Sequence, residues 1–351
     1  MFKYFLQNNY FLNPEIVHFY DSENKDIILS ECNKFYSSID NQKYFFVIKL
    51  NWFSNFFAKF RLLRRLLRLD KSNAILNYKK DGIIIIYLGV IYFYCFKKKI
   101  LKKISRLKNH RNVLHNSIAV TNSGIFFGEY GPNNKRGKIP IWCSYSDGRN
   151  WKIIYNFPRN SIKHVHGIYK DPFENSLWIT TGDFVNECFI FKVPKKNFKK
   201  IIKYGDGSQE WRAVSLIFKR KYVIWGMDSP LQTSALKIFN KKTKQLKTGQ
   251  SFPGPIWYSK VFTDQSAVIQ TSVEIGPGVK SNYSCLFYSK DLIHWNQIYK
   301  FKKDIFPKKL FKFGVIAFSE GKQNAKDFLF SAEGLKNIDG KVFLGKISLK
   351  Q

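Results

Sequence analysis

Four acidic side chains follow apolar, strand-like runs at a repeating interval. Glu129 comes after residues 124–128, Asp183 after 177–182, Asp228 after 222–227 and Glu274 after 267–272. The intervals are about 54, 45 and 46 residues, close to the length of one repeating four-stranded unit. Successive units would then deliver the four carboxyls to one rim, where like charges raise one another's pKa values. A carboxyl kept protonated beside one that stays ionised is the acid and the base or nucleophile of glycoside hydrolysis. Turn chemistry alone also places Gly-Asp and Gly-Glu at hairpins, and both readings stand at this point.

His164 and His166 are two residues apart in a strand-like run, so period-two geometry sets both imidazoles on one face. Asp183 and Glu187 follow in the next turn. Two imidazoles on one face could hold a metal, act as acid and base, or hydrogen-bond a sugar; they could also satisfy carbonyls in a core. Gln209 and Arg212, one unit further on, suit a carboxylate or a hydroxyl-rich ligand, because the guanidinium fork binds a carboxylate through two hydrogen bonds. The candidate catalytic set is Asp183, Asp228, Glu274 and His166. Candidate substrate-binding residues are Glu129, His164, Glu187, Gln209 and Arg212.

The elements that must position these groups are legible in two near-copies. Residues 144–157 and 288–301 share an Asp four places before a Trp, followed by W-x-x-I-Y-x-F. The tryptophans are Trp151 and Trp295, about 144 residues apart, which fits three units of about 48. A Ser and an Asp in each tight turn can accept backbone N–H groups, and the Trp can fold back beneath the turn. This pair of hairpins resembles the Asp-box (BNR repeat) of sialidase-like β-propellers, over roughly residues 115–350. The resemblance implies an all-β fold of six or seven blades and a carbohydrate-active enzyme, with a glycoside hydrolase of an anionic polysaccharide as the first expectation. Of the three arginines with which sialidases hold a substrate carboxylate, only Arg212 has a match here. The resemblance also implies two alternatives. One is a lyase that binds a divalent metal through His164, His166 and Gln209. The other is a propeller that binds carbohydrate or protein without catalysis. The hydrolase reading needs no cofactor.

The rest of the chain supports an all-β reading. It has 351 residues, 44% hydrophobic and 17% aromatic, with 34 Phe and 19 Tyr, a composition that favours strands. Residues 83–96 are the most apolar stretch, too short to span a bilayer and readable as two buried strands around Gly89. Turn dipeptides punctuate residues 117–351 with no long helical window. Residues 52–70 stand apart: Phe53, Phe56, Phe57, Phe60, Leu63 and Leu67 recur at helical spacing beside Arg61, Arg64, Arg65 and Arg68. They predict one basic amphipathic helix, able to touch an anionic membrane or to pack on the propeller. We expect residues 1–114 to close the propeller and carry that helix, and 115–351 to hold the Asp-box blades, in one continuous domain.

The formal net charge of +34 implies a polyanionic partner. No zinc-finger, helix-turn-helix or RNP pattern points to nucleic acid, which leaves an acidic glycan as the expected partner of a monomer. Five cysteines without a C-x-x-C fit neither a disulfide framework nor a zinc site. With no signal-peptide pattern at the start, a cytoplasmic location is the expectation.

Overall fold

The computed structural model describes residues 1–7 and 12–348. Its strands form seven four-stranded antiparallel sheets, and the fold is an all-β, seven-bladed β-propeller. Blade 1 runs from Ile16–Tyr20 to Gln42–Val47, blade 2 from Ser72–Leu76 to Ile100–Arg106 and blade 3 from Ala119–Thr121 to Lys152–Phe157. Blade 4 runs from His164–Lys170 to Ile202–Gly207, blade 5 from Ile217–Phe218 to Leu246–Phe252 and blade 6 from Ile256–Val261 to Asn296–Lys302. Blade 7 is made of Val315–Phe318, Phe328–Glu333 and Lys341–Ile347, completed by Phe2–Leu6 with Phe2 opposite Ile347 and Leu6 opposite Phe343. Each blade is thus a meander, except the last, which borrows its fourth strand from the other end of the chain.

Two compact units divide the chain: residues 1–74 with 253–351, and residues 75–252. The sequence boundary expected at 114/115 lies in the connection between blades 2 and 3. In the second unit, one core joins blades 3 and 4 through Ile141, Phe157, Val165, Leu177 and Phe191. Another joins blades 2 and 3 through Ile84, Phe93, Phe127, Trp142 and Trp151. The apolar stretch 83–96 is the pair Gly82–Tyr87 and Val90–Cys95, turned by Leu88 and Gly89, both at positive φ (48° and 78°). A two-residue turn of that hand matches the twist of the strands it joins.

The charge has a structural location. The last strand of every blade is a sheet edge, and each carries an exposed lysine on it: Lys43, Lys102, Lys152, Lys203, Lys247, Lys300 and, in blade 7, Lys3. Lysines on an exposed edge block pairing with another chain.

Both repeated hairpins form where they were expected. The first joins Ile139–Ser144 to Lys152–Phe157, with Gly148 N–H donating to Ser144 Oγ (2.8 Å) and Trp151 Nε1 donating to the Gly148 carbonyl (3.0 Å). The second joins Tyr283–Ser289 to Asn296–Lys302. There Leu292 N–H donates to Ser289 Oγ (2.8 Å), and Ile293 and His294 N–H donate to Asp291 Oδ1 (2.9 and 2.8 Å). The copies differ at the aspartate. Asp147 leaves its own turn and accepts from Tyr78 and Lys79 N–H (2.8 and 3.0 Å), pinning blade 3 to the 77–81 turn of blade 2. Trp151 is buried among Ile84, Phe93 and Trp142, so Trp151→Ala should cost about 3–5 kcal/mol, to be read from urea denaturation.

The expected single helix over 52–70 is two short ones, Trp52–Phe57 and Arg61–Leu67. The second is held by its arginines. Arg61 pairs with Asp70 (3.0 Å) and Asp339 (3.1 Å), Arg64 with Glu15, and the buried Arg65 with Asp304 (2.7 Å). The arginine stripe therefore faces carboxylates of its own unit, and the first helix, outside that network, buries no residue.

Candidate metal centre

Blade 4 begins with the strand His164–Lys170, paired to Ser176–Gly182 with His164 opposite Gly182. A register shift between Val165 and Gly167 marks a bulge at His166. Bulges re-aim side chains next to functional sites, and here the two rings lie with centroids 5.1 Å apart, both buried. The close approach needs Gly182: a Cβ there would stand 2.6 Å from His166 Cε1. Asp183, the residue that follows, brings its carboxylate to both rings.

The hydrogen bonds fix the tautomers. His164 Nδ1 lies 2.8 Å from the Gly131 carbonyl and His166 Nδ1 lies 2.9 Å from the Ala213 carbonyl. A carbonyl only accepts, so each Nδ1 carries the proton. Each Nε2 then turns to the same atom, Asp183 Oδ1, at 3.3 Å from His164 and 3.1 Å from His166. Burial pushes the His164 imidazole down to about 4, against the pull of the neighbouring Asp183. Two imidazole nitrogens and one carboxylate oxygen lie within 4.8 Å of one another, a cluster that a cation could bridge. Imidazoles that donate their other N–H to a carbonyl are the usual dress of metal-binding histidines. Two nitrogens and one oxygen suit a first-row divalent ion.

Cationic side chains surround the cluster. Lys163 Nζ lies 2.7 Å from Asp183 Oδ2, and Arg212 reaches Asp183 Oδ1 (3.2 Å) and the Asp183 carbonyl (3.0 Å). Asp228 holds Arg212 in place through its Nε (3.0 Å). Gln209 donates to the Asp183 carbonyl (2.9 Å) and accepts from Ser229 Oγ (2.8 Å). It therefore fixes the backbone of the acidic residue, and Asp183 stands where the sequence reading had put Gln209 as third ligand. The rings and the cations together hold the Asp183 carboxyl well below the usual carboxylate range, despite its burial.

The structure thus brings together His164, His166, Asp183, Gln209, Arg212 and Asp228, and sets the other candidates elsewhere. Glu187 pairs with Arg136. Glu129 is fully buried and accepts from the N–H groups of Lys108 (2.7 Å), Asn109 (2.8 Å) and His110 (3.1 Å), from Trp142 Nε1 (2.8 Å) and from the His110 ring (3.0 Å). Glu274 belongs to the other unit, where Trp257 Nε1 and Ser272 Oγ donate to it, both at 2.7 Å. Mutual repulsion was expected to raise these pKa values. Glu129 and Asp183 shift the other way, because hydrogen-bond donors and rings, rather than carboxylates, are their neighbours. Sequence reasoning missed Lys163 and Tyr130, whose ring lies 4.2 Å from that of His164. The signal for Lys163 was its place directly before the paired histidines.

No family model matches the chain, and no curated protein matches it. Solved structures do. Oligogalacturonate lyase in complex with manganese aligns with a TM-score of 0.57 and 8% identity, over 96% of this chain and 89% of that one. U3-55K aligns with a TM-score of 0.56 and 6% identity, over 98% of both chains. The extracellular domain of a putative hybrid two-component system from B. thetaiotaomicron aligns with a TM-score of 0.59 and 9% identity, over all of this chain and 40% of that one. At these identities the likeness is one of fold.

Proposed function

We propose that this propeller is a divalent-cation-dependent lyase of an acidic, uronate-containing polysaccharide. The observation that carries the reading is the pair of buried histidines, each with Nδ1 on a backbone carbonyl and Nε2 within 3.3 Å of one oxygen of Asp183. A manganese-binding polysaccharide lyase of the same fold supports it. Elimination passes the proton next to the uronate carboxyl to a base, forms a carbon–carbon double bond with the electron pair so released, and expels the glycosidic oxygen at the β position, which takes up a proton and leaves as a hydroxyl. A bound cation would neutralise that carboxyl and acidify the neighbouring proton.

The chain's own groups prepare the same charge. Lys163 and Arg212 add positive potential at the site, and Asp228 and Gln209 keep Arg212 and Asp183 from turning away. Hydrolysis fits less well. It needs a carboxyl held protonated near neutral pH, and the surroundings of Asp183 and Glu129 favour their ionised forms. The two Ser-Asp hairpins with buried tryptophans support kinship with Asp-box propellers as part of this reading.

The test is a panel of acidic polysaccharides incubated with the purified protein, with and without EDTA. Unsaturated uronate absorbance that EDTA removes and manganese restores is the expected result. New reducing ends without that absorbance would replace the lyase by a hydrolase. Binding without either product would leave a glycan-binding module.

A further inference from the structure

The helix Trp52–Phe57 does nothing for the core. None of its residues is buried; Trp52 is 82% exposed, and Phe53 and Phe56 are about half exposed. Its rings meet one another instead, Phe53 with Phe57 at 4.5 Å and Phe56 with Phe60 at 6.1 Å. A second exposed apolar element, Ile305 (90% exposed) and Leu310, comes from a distant part of the chain. Arg65, on the helix Arg61–Leu67 that follows the first, holds this second element. It donates to the Phe311 carbonyl (2.6 Å), pairs with Asp304 and lies over the Phe306 and Phe311 rings (5.7 and 5.9 Å).

Charge says what such a surface would meet. No acidic residue occurs between Asp40 and Asp70, nor between Asp304 and Glu320. The two acids next to the patch, Asp70 and Asp304, are paired with Arg61 and Arg65. Lys49, Lys59 and Lys309 are exposed. Two exposed apolar elements remote in sequence thus adjoin the helix Arg61–Leu67, one in sequence and the other through Arg65, and make up an apolar, basic face whose neighbouring acids are paired with arginines. We propose that this face docks on an anionic lipid bilayer, lying in the interface without crossing it. Trp sits at headgroup level and Phe, Leu and Ile enter the acyl boundary, while the lysines meet anionic headgroups. Among the described residues no helix is long and apolar enough to cross. A second copy is a poor occupant, because two chains of +34 repel. An acidic glycan would leave Ile305 and Leu310 in water.

Co-sedimentation of the full chain with vesicles is the test, and it needs neither cation nor glycan. Vesicles enriched in phosphatidylglycerol should bind at least about tenfold more tightly than pure phosphatidylcholine, and added salt should weaken the binding. The double variant Phe56→Ser, Ile305→Ser and the single variant Trp52→Ser should each cut binding severalfold or more, with unchanged circular dichroism melts, since these side chains are exposed. Absence of vesicle binding, equal binding to both lipids, or undiminished binding of both variants would overturn the proposal. So would self-association without lipid that the same variants abolish.

Discussion

Replacing His166 with alanine is expected to weaken manganese binding by at least about 100-fold and to abolish lyase activity. Loss of a group that merely orients a ligand already costs about 10–100-fold, and His166 supplies one of three clustered ligand atoms. The effect should be local. The Nδ1–H that is lost serves one carbonyl, that of Ala213, at about 1 kcal/mol of stability. Glu187→Ala is the matched control, because Glu187 lies in the same loop but pairs with Arg136; its cation affinity should stay within about threefold of the parent. Calorimetric titration with manganese reads both. A His166→Ala protein that binds manganese like the parent would remove the metal centre, and the lyase with it.

Glu129→Gln is expected to be among the most damaging single substitutions to stability, at about 3–5 kcal/mol near neutral pH. The carboxylate is buried beneath five donors on a loop, a strand and a ring. An amide replaces one acceptor oxygen by an NH2 that points at those donors. Acid should narrow the difference. The folded pKa of Glu129 is depressed, so its stabilisation is complete above the unfolded carboxyl pKa, about 4.3. It is lost as pH falls from there through the folded value. Urea denaturation of parent and variant at neutral pH and at about pH 3 checks this. A constant difference across that range would mean that Glu129 acts by shape and not by charge.

Local chemistry made much of this molecule readable. The Asp-to-Trp spacing located two real hairpins, and the β-branched run 83–96 became two buried strands as expected. Period two put His164 and His166 on one face even though a bulge intervenes. What spacing left open was the surroundings of each carboxylate. Glu129, Asp183, Asp228 and Glu274 each follow the second strand of their blade, as the regular spacing suggested, but spacing carries no information about which donors each carboxylate finds. Glu129 found the 108–110 loop, and Asp228 found Arg212. The stripe of arginines stayed open to two readings, membrane contact or packing on the propeller, because its acidic partners, Glu15, Asp304 and Asp339, are distant in the chain.

The fourth strand of the last blade sets an order on biosynthesis. Residues 2–6 are synthesised well before their partners at 343–347. At typical synthesis rates the early strand waits roughly 20–70 s. Until then blade 7 cannot be completed, and Phe2 and Phe5 stay without their sheet. Closure is therefore a late, non-local step, of the kind that slows folding.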